Sequence, residues 1–209
     1  MPFPLSEHSR KSIEQHFRKK GDFVWSESFF LSVLHTSGNK YDLWQAAIGL
    51  REVGTEQAVE PLRAMLMYPN FDVQAVALLT IAHIAGQRAT PIYIEALENP
   101  AYRQKDYALW AIADAADTRA IPHVSGYLAK NSKRFKSGKL RRTPLHYIIK
   151  YLARFSDTEA EAKVLLEKIP EVWFGIPEFD RKGISREFPK LAEQFNSACE
   201  PPRRDDNSG

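Results

Sequence analysis

The chain of 209 residues is 44% hydrophobic and 26% charged, with a net charge of +3, proportions ordinary for a folded domain. No run approaches the roughly 18–20 apolar residues of a membrane span, and the first eight residues lack an apolar signal core, so neither a membrane partner nor a secretory leader is expected. Cys199 is the single cysteine, which excludes an internal disulfide and a Cys-based zinc cluster and fits a reducing, cytoplasmic setting.

Residues 6–20 read as a helix, with Ser6 as N-cap, Ile13 and Phe17 at helical spacing, and Gly21-Asp22 as the stop. Residues 26–35, with Phe29, Phe30, Val33 and Leu34, form a second helix before the loop at 36–39. This pair is expected to seal one end of a stack of helices, so 1–39 is read as an N-terminal capping segment.

From residue 40 the chain repeats. Stretches 40–70, 71–101 and 102–132 superpose at an offset of 31 residues. Ala46, Ala77 and Ala108 coincide, as do Ala58, Ala89 and Ala120, and Leu66, Leu97 and Leu128. Each stretch splits into two helices, at 41–53 and 56–67, at 72–85 and 88–98, and at 103–115 and 119–129. Pro61, Pro91 and Pro122 fall near the first turn of each second helix, where a missing N–H costs least. A helical repeat of this length predicts an all-α fold, an α-solenoid of helix pairs.

The fourth unit, 133–170, leaves the register. Its turn at Asp157-Thr158 matches Asp117-Thr118 at an offset of 40, so about nine residues are inserted, most simply within 131–139. Helices at 143–155 and 159–169 complete the unit, and Pro170 closes it. Residues 171–198 read as a C-terminal capping segment with a last helix at 185–197, and 199–209 as a disordered tail.

Paired helices joined by Asp117-Thr-Arg-Ala-Ile-Pro122 resemble the HEAT repeat, above all its short bacterial form, which is also found in phycobilin lyase subunits. The resemblance covers roughly 40–170, and Val73-Gln74 and Gln104-Lys105 match the usual Val-Arg only loosely. It implies an extended surface for binding a macromolecule and brings no catalytic residues with it.

Charge is segregated. Between 118 and 156 there are ten Lys or Arg and no acidic residue, which leaves −7 for the rest of a chain of net +3. The expected binding residues are Arg88 and Arg119 at equivalent repeat positions, then His123, Lys130, Lys133, Arg134, Lys136, Lys139, Arg141 and Arg142. The bland alternative is a solvated loop with ordinary polar helix faces. Acidic residues Glu52, Glu56, Glu60, Glu95 and Glu98 offer a second, oppositely charged surface on the first two repeats.

Trp110 and Asp114 lie four apart on one helix face, a pairing similar to that in HEAT-like alkylpurine DNA glycosylases, where it holds a cationic base. The bland reading is a core tryptophan beside a surface aspartate. The six histidines show no HExxH or related ligand spacing, and no glycine-rich phosphate loop occurs, so no metal and no cofactor are called for. The aromatic residues at the two ends, Trp25, Phe29, Phe30, Trp173, Phe174, Phe179, Phe188 and Phe195, read as capping cores, with an exposed recognition patch near 171–177 as the alternative. The expectation is a non-enzymatic protein-binding module, most concretely a small bacterial inhibitor of the immunity type that neutralises a toxin. The alternative is a nucleic-acid binder, as a repair glycosylase would be. A scaffold for a chromophore protein, as in phycobilin lyases, is a third reading.

Overall fold

Short polar side chains start the first helices. The Ser6 and Ser26 hydroxyls accept first-turn amides and open α1 (Glu7–Arg18) and α2 (Glu27–Thr36). Asn39 caps α3 (Lys40–Val53), and a 3₁₀ turn leads into α4 (Val59–Ala64). Asn70, one period after Asn39, caps α5 (Phe71–Ala85), and α6 (Thr90–Glu98) follows with Pro91 in its first turn. Ala101 stands at the next equivalent place and has no side chain with which to cap. The third first-helix, α7 (Lys105–Ala115), therefore begins at Lys105 rather than at Tyr102, the counterpart of Lys40 and Phe71.

The structure, a computed structural model, describes residues 5–137 and 143–199, and every regular element among them is helical. The fold is an all-α solenoid, divided into two compact units, Met1–Ala120 and Ile121–Gly209. The division falls inside the third 31-residue stretch.

In the first unit α1, α3, α5 and α7 pack in succession as one layer, while α2 packs on α4 in the second. Ala46, Ala77 and Ala108 lie in the first layer with no exposed surface, and their small side chains let the helices approach closely. The layer is stitched one period at a time. Thr80 Oγ1 donates to the Ala47 carbonyl at 3.0 Å, Tyr68 Oη to the Gly38 carbonyl at 2.9 Å, and Arg63 to Glu95 at 2.7 Å. Gln74 Nε2 reaches the Tyr68 carbonyl, and 31 residues later Lys105 Nζ reaches the Asn99 carbonyl, so the same repeat position satisfies the preceding helix end twice. Phe17, Phe23, Trp25, Phe29 and Phe30 interlock edge to face at the N-terminal end.

Asp42 ties α1 to α3. Its carboxylate, 13% exposed, accepts from His16 Nε2 at 2.7 Å, from Lys20 Nζ at 2.5 Å and from Ser37 Oγ at 2.9 Å. Burial alone would raise its pKa, but the hydrogen bonds from Lys20, His16 and Ser37 together hold it below the ordinary value of 3.8.

The second unit comprises α8 (Ile121–Lys136), α9 (Leu145–Phe155), α10 (Ala160–Glu167), α11 (Pro170–Trp173), α12 (Glu178–Glu187) and α13 (Pro189–Cys199). At its centre is α9, with Leu145, Ile148, Ile149, Tyr151 and Leu152 fully buried. The Thr143 amide donates to Asp180 at 2.7 Å, and Trp173 Nε1 donates to Asn196 Oδ1 at 2.7 Å, which fastens α12 and α13 to the rest of the unit.

Two expectations are corrected. The insertion was read as an interruption after residue 130, yet Asn131–Lys136 continues α8 as helix. No helix breaker separates it from the preceding turns, and Phe135, three turns beyond Val124, is buried on the same side. Ser137 follows as a turn, and residues 138–142, which include the last two of the insertion, lie outside the described residues, as do 200–209. The second correction is α12, which sequence periodicity did not indicate. It buries only Ile184 and carries Gly183 in mid-helix, so it has no apolar stripe to betray it.

Two substitutions probe these contacts. A Cβ at Gly49 would stand 2.3 Å from Cζ of the fully buried Phe30. Gly49→Ala should therefore lower the unfolding free energy in urea by about 1–3 kcal/mol, although alanine is the better helix former. Asp42→Asn should cost about 1–3 kcal/mol at pH 7. Because the folded pKa is depressed, this contribution is complete above the ordinary value of 3.8 and disappears as pH falls through the folded value. Urea titrations of wild type and Asp42→Asn from pH 7 to pH 3 should show the gap closing at the acid end.

Candidate functional site

The cations of the basic window fall into two groups. In the first unit they are held by the scaffold. Arg119, in the 3₁₀ turn Thr118–Ala120, makes a two-pronged contact with Asp117, at 2.7 Å from its terminal nitrogen and 2.9 Å from Nε, and donates to the Gln87 carbonyl at 3.3 Å. The same contact holds the Asp117 carboxyl below its usual range. Arg88 pairs with Glu56 of the preceding repeat. Both expected binding residues thus bridge adjacent repeats, with their side chains still exposed on the outer surface.

The second group lies on α8. His123, Tyr127, Lys130 and Arg134 recur at spacings of four, three and four residues, so they follow one side of the helix, with Lys133 beside them. The opposite side is apolar and buried through Ile121, Val124 and Phe135. Lys130, Lys133 and Arg134 are exposed, and among the described residues none of the three has an ion-pair partner. Lys136 is different, because it pairs with Glu171 at 3.0 Å. Further along, the Arg154 guanidinium lies 4.6 Å over the Phe155 ring and 5.6 Å over Tyr151. Lys139, Arg141 and Arg142 lie outside the described residues.

The end of α8 is anchored. Ser137 Oγ donates to the Arg134 carbonyl at 2.7 Å, and Asn131 Nδ2 donates to the Tyr127 carbonyl at 2.9 Å. The chain after Trp173 passes so close that a Cβ at Gly175 would stand 2.0 Å from the Phe135 carbonyl oxygen. Gly175 and Glu171 support the end of α8, whereas sequence reasoning singled out 171–177 only as an alternative exposed recognition patch. The Trp-Phe-Gly run at 173–175 was the available signal, as a glycine next to aromatic residues can mark a close backbone approach.

Four of the five carboxylates of the acidic surface expected on the first two repeats are in ion pairs. Glu52 pairs with Arg10, Glu56 with Arg88, and Glu60 and Glu95 with Arg63. Trp110 and Asp114 do meet: the indole Nε1 donates to Asp114 Oδ2 at 2.7 Å on the face of α7. Tyr107 lies 5.9 Å from the Trp110 ring. Neither residue lines the groove bordered by Asp157 and Phe195 or the notch bordered by Asn39 and Tyr68.

His16 faces Asp42, and His146 faces Glu187 at 2.7 Å. His83 is pushed below its usual pKa by burial and by Arg51. Among the described residues no three His, Cys, Asp or Glu side chains converge as metal ligands, and no helix is long and apolar enough to cross a membrane.

Among known families, the model described as HEAT repeats matches residues 27–113, from the start of α2 into α7. No curated protein and no solved structure matches the chain.

Gly175→Ala should lower the unfolding free energy by about 2 kcal/mol, because either α8 or the 173–175 segment must move. The same change should speed hydrogen exchange at the α8 end more than in α3 or α5, as read by mass spectrometry.

Proposed function

Since the chain is a HEAT-like repeat protein, and HEAT repeats in general mediate protein interactions, we propose that it is a non-enzymatic binding module whose α8 face docks an acidic region of a protein partner. Its most concrete form is a small bacterial inhibitor of the immunity type, which neutralises a toxin by covering it. The observation that carries this reading is the contrast among the cations. Arg88, Arg119 and Lys136 are committed to scaffold carboxylates, whereas Lys130, Lys133 and Arg134 are exposed and unpaired among the described residues.

Physical chemistry favours that face. Unpaired surface cations retain their long-range field, which steers an oppositely charged partner and sets its orientation. Cations already paired have lost most of theirs. Tyr127 sits within the stripe as an amphipathic contact residue of the kind enriched at interfaces. The close packing of the 173–175 segment on the end of α8 helps to preorganise the face, which lowers the entropic cost of binding.

The test is a triple reversal, Lys130→Glu, Lys133→Glu and Arg134→Glu, compared with Arg18→Glu, which changes a charge on α1. Partner recovered from the source cell by the tagged wild-type chain should bind the triple variant at least about tenfold more weakly in calorimetry. The α1 variant should bind unchanged. Equal binding by the triple variant would overturn the reading. Retention of duplex DNA or RNA by the wild type, with log K falling steeply against log salt, would replace it with the nucleic-acid alternative.

A further inference from the structure

The second unit carries an open groove of about 870 Å³ that none of the expected site residues lines. Two helices form its walls. Lys163, Leu166 and Glu167 follow one side of α10, with Glu159 at its N-terminal end; Leu191, Gln194, Phe195 and Ala198 follow one side of α13. Pro170 closes one part of the rim and the Ser156–Glu159 turn another. The floor is apolar, built on Leu166 and Phe195, which are 6% and 3% exposed.

The rim is acidic. Asp157, Glu159 and Glu167 border the groove, against Lys163 as the cation in its lining. Among the described residues none of these three carboxylates is in an ion pair or accepts a hydrogen bond. An apolar trough between two helices, edged by carboxylates without an ion-pair partner among the described residues, is complementary to an amphipathic helix with apolar anchors at i, i+3, i+4 and i+7 and cations beside them. Its volume lies in the range of pockets that bury a specific ligand.

We propose that this groove binds a basic amphipathic helix from a second protein. Apolar side chains of that helix seat on Leu166, Leu191 and Phe195, and its Lys or Arg side chains meet Asp157, Glu159 and Glu167. The site has the opposite sign to α8 and shares no residue with it, so one unit presents a basic face and an acid-rimmed groove. The proposal does not rest on the function assigned to α8, and either can fail without the other.

The probe is a labelled helical peptide of about 14 residues with leucines on one face and flanking lysines, set beside a twin with glutamates in place of the lysines. Fluorescence anisotropy with the full chain should show the lysine peptide binding and the glutamate twin binding at least about tenfold more weakly. The variant Asp157→Asn, Glu159→Gln, Glu167→Gln alters two exposed rim positions and one half-buried one, none of them in an ion pair among the described residues, and should keep the wild-type unfolding midpoint. It should lose about tenfold in affinity for the lysine peptide, and the salt dependence of binding should flatten. Hydrogen exchange of the complex should slow within 156–170 and 189–198. No binding, equal binding of the two peptides, undiminished binding by the rim variant, or protection elsewhere would each overturn the proposal. Binding seen only after residues 200–209 are deleted would also overturn it, assigning the groove to the chain's own segment around Arg203 and Arg204.

Discussion

Everything in the first unit depends on how closely one helix of the first layer can approach the next. Ala46, Ala77 and Ala108 set that distance, since each is wholly buried at the same place in its repeat. With larger side chains there, the layers would separate and the bonds that cross one period would not form. Thr80 reaches the Ala47 carbonyl, Arg63 reaches Glu95, and Arg119 reaches the Gln87 carbonyl only because the spacing is constant. The net worth of each bond is modest, about 1 kcal/mol. Repetition makes them count, because each repeat is stable largely through its neighbours.

That constraint also explains how the cations divide. A repeat scaffold places side chains one period apart within reach of each other, so Arg88 and Arg119 find partners in the adjacent turn. On α8 the period has ended. Lys130, Lys133 and Arg134 have no ion-pair partner among the described residues and are exposed. Interruption of a repeat thus releases charges from structural pairing. The same unit accommodates the acid-rimmed groove between α10 and α13, where carboxylates are likewise unpaired among the described residues.

Much of the fold was legible in the sequence, because small residues and prolines recur at fixed intervals and each has a local physical meaning. Pro91 announces the first turn of α6, whereas Asn39 and Asn70, read as loop and chain break, proved to be the caps of α3 and α5. Elements without such marks were missed. With a single buried residue, α12 shows no helical stripe. The length of α8 was hidden because a run of Lys, Arg and Ser reads as loop until Phe135 is seen to share a face with Val124. For the site, sequence counted the positive charges but could not sort them, since pairing is a three-dimensional property. Phe174 and Phe179, expected among the capping aromatics, are instead 57% and 77% exposed, with the Arg181 guanidinium 5.4 Å over the Phe174 ring. The groove was invisible for a related reason: its two walls are separated by more than twenty residues, and neither has an unusual composition by itself.

The central claim is that the working surface of this helical-repeat protein is the basic side of α8. A hydrogen-exchange footprint of the chain with its natural protein partner tests it most directly. The account predicts slowed exchange and reduced lysine labelling along His123–Arg134, with α3, α5 and their connecting turns unchanged. Protection confined to the turns of the first unit, with the α8 lysines as reactive as in the free chain, would contradict it.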